Sequence, residues 1–194
     1  MNAAIRIAMG MPKPAVLSSF QAEGVVVIHM ATMIRPDVPI LFIDTGYSFK
    51  ETLLFKDKLA FKYDWNVIDI PVEDGPVCCR DRKVVAFKEA IKEYDCYVTG
   101  LRRTSSPSRE HTPIMQWQND YTLLKVNPIA DWSKEDVLKY LSLNDLPQHP
   151  LYEQGYASIG CEPCTTPIKP GEDERAGRWR GEARVECGIH ETES

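Results

Sequence analysis

Pro39-Ile40-Leu41-Phe42-Ile43-Asp44-Thr45-Gly46 is a continuous apolar run closed by short polar residues and a glycine. A run apolar at every position, rather than at alternate ones, belongs to a strand buried on both faces, and its polar carboxyl end lies at an edge open to ligands. Outward from this stretch the same unit recurs. Pro14 to Ser19 reads as a short buried strand ending in hydroxyls, and Val25 to Met33 continue as a strongly apolar helical segment. Phe49 to Phe61 carries Leu53, Leu54 and Leu59 at helical spacing, Asn66 to Val72 alternates as a third strand, and Cys78 to Tyr94 returns to helical spacing. Cys96-Tyr97-Val98-Thr99 is a fourth strand ending at Gly100, and Leu123 to Ile129 is a further extended segment. Ser133-Lys134-Glu135-Asp136 has the form of a helix start in which Ser133 caps and Asp136 answers, with the helix running to about Leu143. Strand and helix alternating at this rhythm predict a three-layer α/β domain with a mainly parallel sheet over residues 1–147. The stretch 148–194, rich in Gly, Pro and charge, is expected to be a cysteine-containing C-terminal tail whose order depends on a metal centre or a ligand.

The 194 residues are 43% hydrophobic, enough for one good core, and the formal net charge of −5 gives no sign of a nucleic-acid binder. The arginines are nevertheless clustered, Arg102, Arg103 and Arg109 in one group and Arg175, Arg178, Arg180 and Arg184 in another. Those are the places to seek an anionic ligand. No stretch has the run of about 20 apolar residues that spans a bilayer, and Met1 to Arg6 leads into no secretory core, so the expectation is a reducing, cytoplasmic setting.

Of the six cysteines, four group together, one stands alone near the C-terminus and one, Cys96, lies inside a strand. Cys78-Cys79 and Cys161-x-x-Cys164 supply the four thiolates that either tetrahedral zinc or an iron–sulfur cluster requires. Two neighbouring residues hardly reach one small zinc ion at tetrahedral angles, whereas a cubane offers four separated corners. Cys187 sits alone in Glu186-Cys187-Gly188-Ile189-His190 and is suited to chemistry rather than ligation. Cys96, inside a strand, reads as a small core residue, and Trp65, Trp117 and Trp132 are expected to pack.

Sheets of this kind bind ligands beyond the carboxyl ends of their strands. The strand ends Ser18-Ser19, Asp44-Thr45-Gly46 and Gly100 to Arg103 therefore fall together. Ser18 to Gly24 lies between a strand and a helix, where backbone N–H groups and the helix dipole favour an anion. Gly100 to Arg109 combines three guanidiniums with several hydroxyls on one loop, a suitable set for phosphate or sulfate.

Taken in order, Ser18 to Gly24, Ile43-Asp44-Thr45-Gly46, Cys78-Cys79-x-x-Arg82-Lys83, Gly100 to Arg109, Gly160-Cys161-x-x-Cys164-Thr165 and Glu186 to His190 resemble the assimilatory adenylyl-sulfate reductases. The resemblance spans nearly the whole chain and implies a Rossmann-like, adenine-nucleotide α-hydrolase-like fold. It implies reduction of adenosine 5′-phosphosulfate to sulfite and AMP, with thioredoxin or a glutaredoxin as electron donor and homo-oligomerisation left open. Cys78, Cys79, Cys161 and Cys164 would then hold a 4Fe-4S cluster, and Lys83 would lie between cluster and substrate. Ser18, Ser19 and Gly24 would surround the nucleotide phosphate, and Asp44, Thr45 and Gly46 would flank the adenosine. Arg102, Arg103 and Arg109 belong to the family's arginine loop. Arg175 and Arg178 would close over the phosphosulfate, with Cys187 as nucleophile and His190 on the same tail.

The chemistry independently asks for this division. Sulfate is a poor electrophile because its oxygens are anionic, so a nucleophile reaches sulfur only where cations offset that charge. A thiolate is a suitable attacker, and an external dithiol resolves the product by exchange. Three positions depart from the family pattern: Gln21 replaces glycine, Ser105 replaces glutamine and Ala86 replaces proline. The nearest rival is a 3′-phosphoadenylyl-sulfate reductase, whose members commonly lack the four cluster cysteines, and the extra arginines leave a dual-specificity enzyme open. An ATP-using sulfurtransferase would need a Ser-Gly-Gly-x-Asp-Ser type loop, and a zinc-binding interaction module leaves Cys187 and the arginines unused.

Overall fold

The structure, a computed structural model, describes residues 2–73, 75, 80–119, 122–182, 184, 186, 188 and 189. The expectations placed on Cys78, Cys79, Cys187 and His190 lie outside the described residues. The apolar runs form β1 (Pro14–Leu17), β2 (Ile40–Asp44), β3 (Val67–Pro71), β4 (Cys96–Val98) and β6 (Leu123–Val126), joined by β5 (Met115–Gln118). They make one six-stranded sheet in the order β3-β2-β1-β4-β6-β5. Every pairing is parallel except β5 with β6, which is antiparallel. The predicted three-layer α/β architecture is therefore present.

Burial on both faces follows from side-chain alternation. Val16, Ile40, Phe42, Cys96, Val98 and Val126 point to one core, which α1 (Ala3–Met9), α2 (Ala22–Thr32), α3 (Lys50–Tyr63) and α5 (Lys134–Leu143) cover. Ala15, Leu17, Leu41, Ile43, Tyr97 and Leu123 point to the other, which α4 (Arg80–Ile91) covers with Phe87 and Ile91. The middle strands β1, β2 and β4 are almost wholly enclosed, whereas β3 at the sheet edge is half exposed and guarded by the Lys56–Asp69 ion pair at 2.6 Å. A charged edge of this kind discourages pairing with another strand.

The capping box at Ser133 is present: the Asp136 amide donates to the Ser133 hydroxyl at 3.1 Å, and the Ser133 amide donates to the Asp136 carboxylate at 2.9 Å. Two elements were not read from the sequence. Helix α1 covers residues to which no element had been assigned, and its Ala4, Ile5, Ala8 and Met9 enter the larger core. Strand β5 is short and flanked by exposed side chains, so it lacks the apolar run that marked the others. Trp117 sits on it at 52% exposure, which corrects the expectation that it packs; Trp65 and Trp132 do pack. Cys96 is a core residue, as expected, with its thiol pushed up to about 12 by burial and then by Asp95.

Residues beyond 147 dock on this frame. His149 is buried at the start of a 3-10 turn (Pro150–Gln154), and its Nδ1 accepts from the Leu151 amide at 3.2 Å. That fixes the ring proton on Nε2, which faces the Thr52 hydroxyl of α3 at 3.0 Å. Leu151 and Ile159 complete a small third core with Phe49.

Both ring nitrogens of His149 are used in the neutral form, and burial lowers its pKa from 6.5 to about 4. The unfolded chain therefore binds a proton that the folded chain refuses between those values, and stability falls as pH drops through that window by about 1.4 kcal/mol per unit. Burial lowers His29 in the same direction. Urea melts of the wild-type chain and of His149→Gln from pH 7 to pH 4 should show a shallower slope in the variant; equal slopes would mean that His149 does not carry this dependence.

Candidate functional site

A cleft of about 160 Å³ opens beyond the carboxyl ends of β1, β2 and β4. This is where the strand order reverses, so the loops after β1 and β4 diverge and leave a crevice. Leu17, Phe42, Ile43, Leu101 and Ile159 give it apolar walls, while Lys83, Arg109, Arg175 and Arg178 bring in cations. Apolar walls with a few convergent charges suit a nucleoside carrying an anionic group.

Ser18 and Ser19 line this cleft on the loop from β1 to α2. The Ser18 hydroxyl accepts from the Phe20 amide at 3.0 Å, and the turn's positive φ of 58° falls on Phe20. Phe20 tolerates it because its ring is fully buried edge-on to Phe42, and such a left-handed residue costs about 1 kcal/mol. Gln21 has φ −72°, so the departure from glycine there carries no backbone strain. Its side chain is put to use instead: Nε2 donates to the Ser19 hydroxyl at 3.2 Å and Oε1 accepts from the Ile159 amide at 2.8 Å. Gln21 makes no side-chain cap; the Ala22 amide donates to the Tyr152 hydroxyl at 3.0 Å instead, and the first-turn residues Glu23 and Gly24 line the cleft. Gly24 has a packing reason as well, since a Cβ there would meet the Ser18 hydroxyl at 2.3 Å.

The predicted arginine loop divides among different tasks. Arg102 is 1% exposed, and its guanidinium donates to Glu23 of α2 at 2.8 Å and to Glu174 of the C-terminal segment at 3.1 Å. Arg103 donates to the Thr112 carbonyl at 2.8 Å and pairs with Asp131, outside the cleft lining. Arg109 lines the cleft and grips Glu186 through a fork, Nε to Oε1 at 2.7 Å and Nη2 to Oε2 at 2.9 Å. Ser105, standing where the family pattern has glutamine, donates to the Arg102 carbonyl at 2.8 Å. Ala86 lies inside α4, where it keeps the backbone donor that proline would remove.

Asp44, Thr45 and Gly46 lie beyond the cleft lining, which stops at Ile43. The Asp44 carboxylate accepts from the Gly46 amide at 3.0 Å, and Gly46 takes a φ of 72° to make the turn. Thr45 instead faces the sulfur of Cys161 at 3.1 Å.

Cys161 caps and Cys164 ends a 3-10 turn (Glu162–Cys164) in which the Cys164 amide donates to the Cys161 carbonyl at 3.0 Å. Burial, and next the neighbouring Cys161, push the Cys164 thiol up. Thr165 locks the turn, donating to the Cys161 carbonyl at 2.8 Å and accepting from the Gly160 amide at 3.1 Å. The turn is pinned to the β2–α3 loop by the Glu162 amide, which donates to the Tyr47 carbonyl at 2.8 Å. The hydroxyl of the same Tyr47 donates to the carbonyl of Gly75 at 3.2 Å. Tyr47 therefore bridges the Cys161-x-x-Cys164 turn and the segment that leads into Cys78-Cys79. The two described thiols, close together on a rigid turn, fit a thiolate-ligated metal group. Among the described residues alone no group of three or more metal-ligating side chains gathers.

Trp179, Glu186 and Lys125 were not singled out from the sequence. Trp179 is buried with φ 48°, its amide donates to the Cys164 carbonyl at 3.1 Å, and the guanidiniums of Arg178 and Arg175 lie 4.4 and 5.6 Å from its ring centroid. It seats both tail arginines by cation–π contact and ties them to the cysteine turn. The signal was present as Arg175-x-x-Arg178-Trp179, an aromatic next to two cations. Glu186 is 6% exposed; burial alone would raise its carboxyl, but hydrogen bonds from Arg109, with the charges of Arg109, Arg175 and Arg178, hold it below the ordinary value. Lys125 is 4% exposed on the α4 side of β6, and burial first, then Arg109, brings it down to about 8.

The cleft and its three-layer frame define an α/β protein with a cation-lined crevice at the switch point of its sheet. Residues 13–167 match the phosphoadenosine phosphosulfate reductase domain. The chain is 40% identical over 185 residues to adenosine 5′-phosphosulfate reductase of Mycolicibacterium smegmatis, covering 87% of this chain and 78% of that protein. It is 39% identical over 192 residues to the protein of the same name from Mycobacterium tuberculosis H37Rv, covering 90% and 75%. Among solved structures, the phosphoadenylyl-sulfate reductase of Candida auris, in a phosphate complex, superposes with TM-score 0.72 at 23% identity over 84% of this chain and 88% of that one. The FMN adenylyltransferase of Candida glabrata gives 0.65 at 16% identity over 94% and 74%; at these identities both carry the fold alone. The chain belongs to the phosphoadenosine phosphosulfate reductase family and is an oxidoreductase.

Removing Arg102 strands the carboxylates of Glu23 and Glu174 in a largely enclosed place. Arg102→Ala is expected to cost about 3–5 kcal/mol in urea unfolding. A loss below about 1 kcal/mol, the size of a surface pair, would show that the ion cluster is not a structural anchor.

Proposed function

We propose that the protein reduces adenosine 5′-phosphosulfate to sulfite and AMP through an S-sulfonated Cys187, in assimilatory sulfate reduction. The observation that carries this reading is the placement of the tail. Glu186 and Ile189, on either side of Cys187 in the sequence, both line the cleft that holds Lys83, Arg109, Arg175 and Arg178. The similarity to enzymes named adenosine 5′-phosphosulfate reductase supports the choice of substrate.

In this reading the adenosine packs on the apolar walls, and Ser18, Ser19 and the end of α2 take the phosphate. The cations offset the charge of the sulfate oxygens while the Cys187 thiolate attacks sulfur. A sulfur–sulfur bond forms, the sulfur–oxygen bond to phosphate breaks, and AMP leaves with its electron pair. A dithiol protein, thioredoxin or a glutaredoxin, then attacks Cys187 sulfur and displaces sulfite. Its second thiol closes a disulfide and returns Cys187 as the thiolate, so the dithiol supplies both electrons. His190 is assigned to substrate contact on the same tail.

Cys78, Cys79, Cys161 and Cys164 would hold a 4Fe-4S cluster, which would supply fixed charge and rigidity. Residues 148–194 act as the segment that completes both sites. No described helix is long and apolar enough to cross a membrane; separately, the reaction is proposed to run in the cytoplasm.

Protein prepared anaerobically should be brown, with iron and sulfide in cluster proportion; colourless protein containing zinc would sink the cluster assignment. With sulfur-labelled adenosine 5′-phosphosulfate, label should stay on the protein until thioredoxin removes it. Cys187→Ser should bind AMP and accept no label; undiminished turnover in that variant would refute the nucleophile. The unphosphorylated nucleotide should be preferred over its 3′-phosphorylated form in side-by-side assays.

A further inference from the structure

We propose that Glu186 is a positioning residue: its carboxylate, gripped by Arg109 and Arg175, clamps the tail to the cleft and so sets where the adjoining Cys187 acts. This rests on the assignment of Cys187 as nucleophile. Glu186 is buried although it belongs to a tail that is otherwise rich in exposed charge. Both Oε atoms are engaged: Oε1 by Arg109 Nε at 2.7 Å, and Oε2 by Arg109 Nη2 at 2.9 Å and by Arg175 Nη2 at 3.1 Å. The Ser108 hydroxyl also approaches Oε1, at 3.4 Å.

The geometry is that of a two-point hold rather than a loose surface pair. A fork-to-fork pair fixes distance and orientation together, and both partners are largely withdrawn from water, with side chains of Arg109 and Glu186 at 15% and 7% exposure. The clamp joins three separate places in the chain: the loop after β4 through Arg109, the 171–182 segment through Arg175, and the tail through Glu186. Three residues on, Ile189 packs against the α4-side core with Ile70 and Val72. In the sequence, Cys187 is thus preceded by an ionic anchor at Glu186 and followed by an apolar one at Ile189. A second consequence concerns Arg109. Its Nε and Nη2 are both committed to Glu186, so its main task is to hold the tail.

The test compares wild type with Glu186→Gln, which keeps the shape and removes the charge. Three measurements are made on the full, cluster-loaded chain: single-turnover transfer of label to Cys187 at saturating adenosine 5′-phosphosulfate, equilibrium binding of AMP, and the rate of tryptic cleavage after Arg184. Transfer should fall roughly tenfold or more, because a small misplacement of a reacting group is costly. Cleavage should accelerate by about tenfold as the tail opens locally. AMP affinity should change by less than about threefold, since the apolar walls and the end of α2 are untouched. Glu186→Asp, which keeps the charge but shortens the reach, should protect Arg184 better than Glu186→Gln. Wild-type transfer and cleavage rates in Glu186→Gln would overturn the clamp, as would accelerated cleavage with undiminished transfer. If wild type itself takes no label while Glu186→Gln still accelerates cleavage, the clamp stands and the assignment of Cys187 falls.

Discussion

Arg102, enclosed between Glu23 and Glu174, fastens together parts of the chain that are 79 and 72 positions apart. One end is the first turn of α2, one is the loop leaving β4, and one is the C-terminal segment. The cleft exists because these three meet at the point where the sheet reverses order. A close approach is built in alongside: a Cβ at Gly100 would stand 2.8 Å from the backbone of Glu23, so only glycine lets the β4 loop lie against α2. Buried ion pairs contribute little net stability compared with apolar packing, but they are unforgiving of a missing partner. Arg102 therefore serves to specify one arrangement of three loops.

A second ionic cluster, Arg109 and Arg175 around Glu186, extends the same logic to the tail. Between the two clusters sit the cysteine turn and Trp179, joined by the amide-to-carbonyl bond from Trp179 to Cys164. The Cys161-x-x-Cys164 turn, the two tail arginines and the loop after β2 thus form one mechanical unit through Thr45, Tyr47 and Trp179. If the turn holds the proposed cluster, loss of one of its thiolate ligands reaches the tail arginines through these contacts.

The parallel sheet was legible because β1, β2 and β4 are buried on both faces and so read as unbroken apolar runs. Ser133 and Asp136 announced α5 because a capping box is local. What escaped has a common physical cause. Helix α1 owes its place to packing against α2, β4 and β6, and β5 to its pairing with β6, neither of which leaves a local pattern. The site followed the same division. Ser18, Ser19, Lys83, Arg109, Arg175 and Arg178 were visible as residue types next to strand ends and do line the cleft. That Arg102 and Arg103 are spent on carboxylates was not visible, because Glu23, Glu174 and Asp131 are near only after folding. Lys125 was hidden for a different reason: a lone lysine in a strand gives no sign that β6 will carry it into the core beside Arg109.

A nucleophile on the chain splits the reaction into two halves that can be run separately, and this is the point at which the proposed chemistry is most exposed. Mixing the cluster-loaded protein with adenosine 5′-phosphosulfate in the absence of any dithiol, and following AMP and sulfite together, tests it directly. A burst of AMP equal to the protein present is expected, with sulfite appearing only once thioredoxin is added. Sulfite released in step with AMP before any dithiol is present, or no AMP until the dithiol arrives, would contradict a covalent intermediate on Cys187.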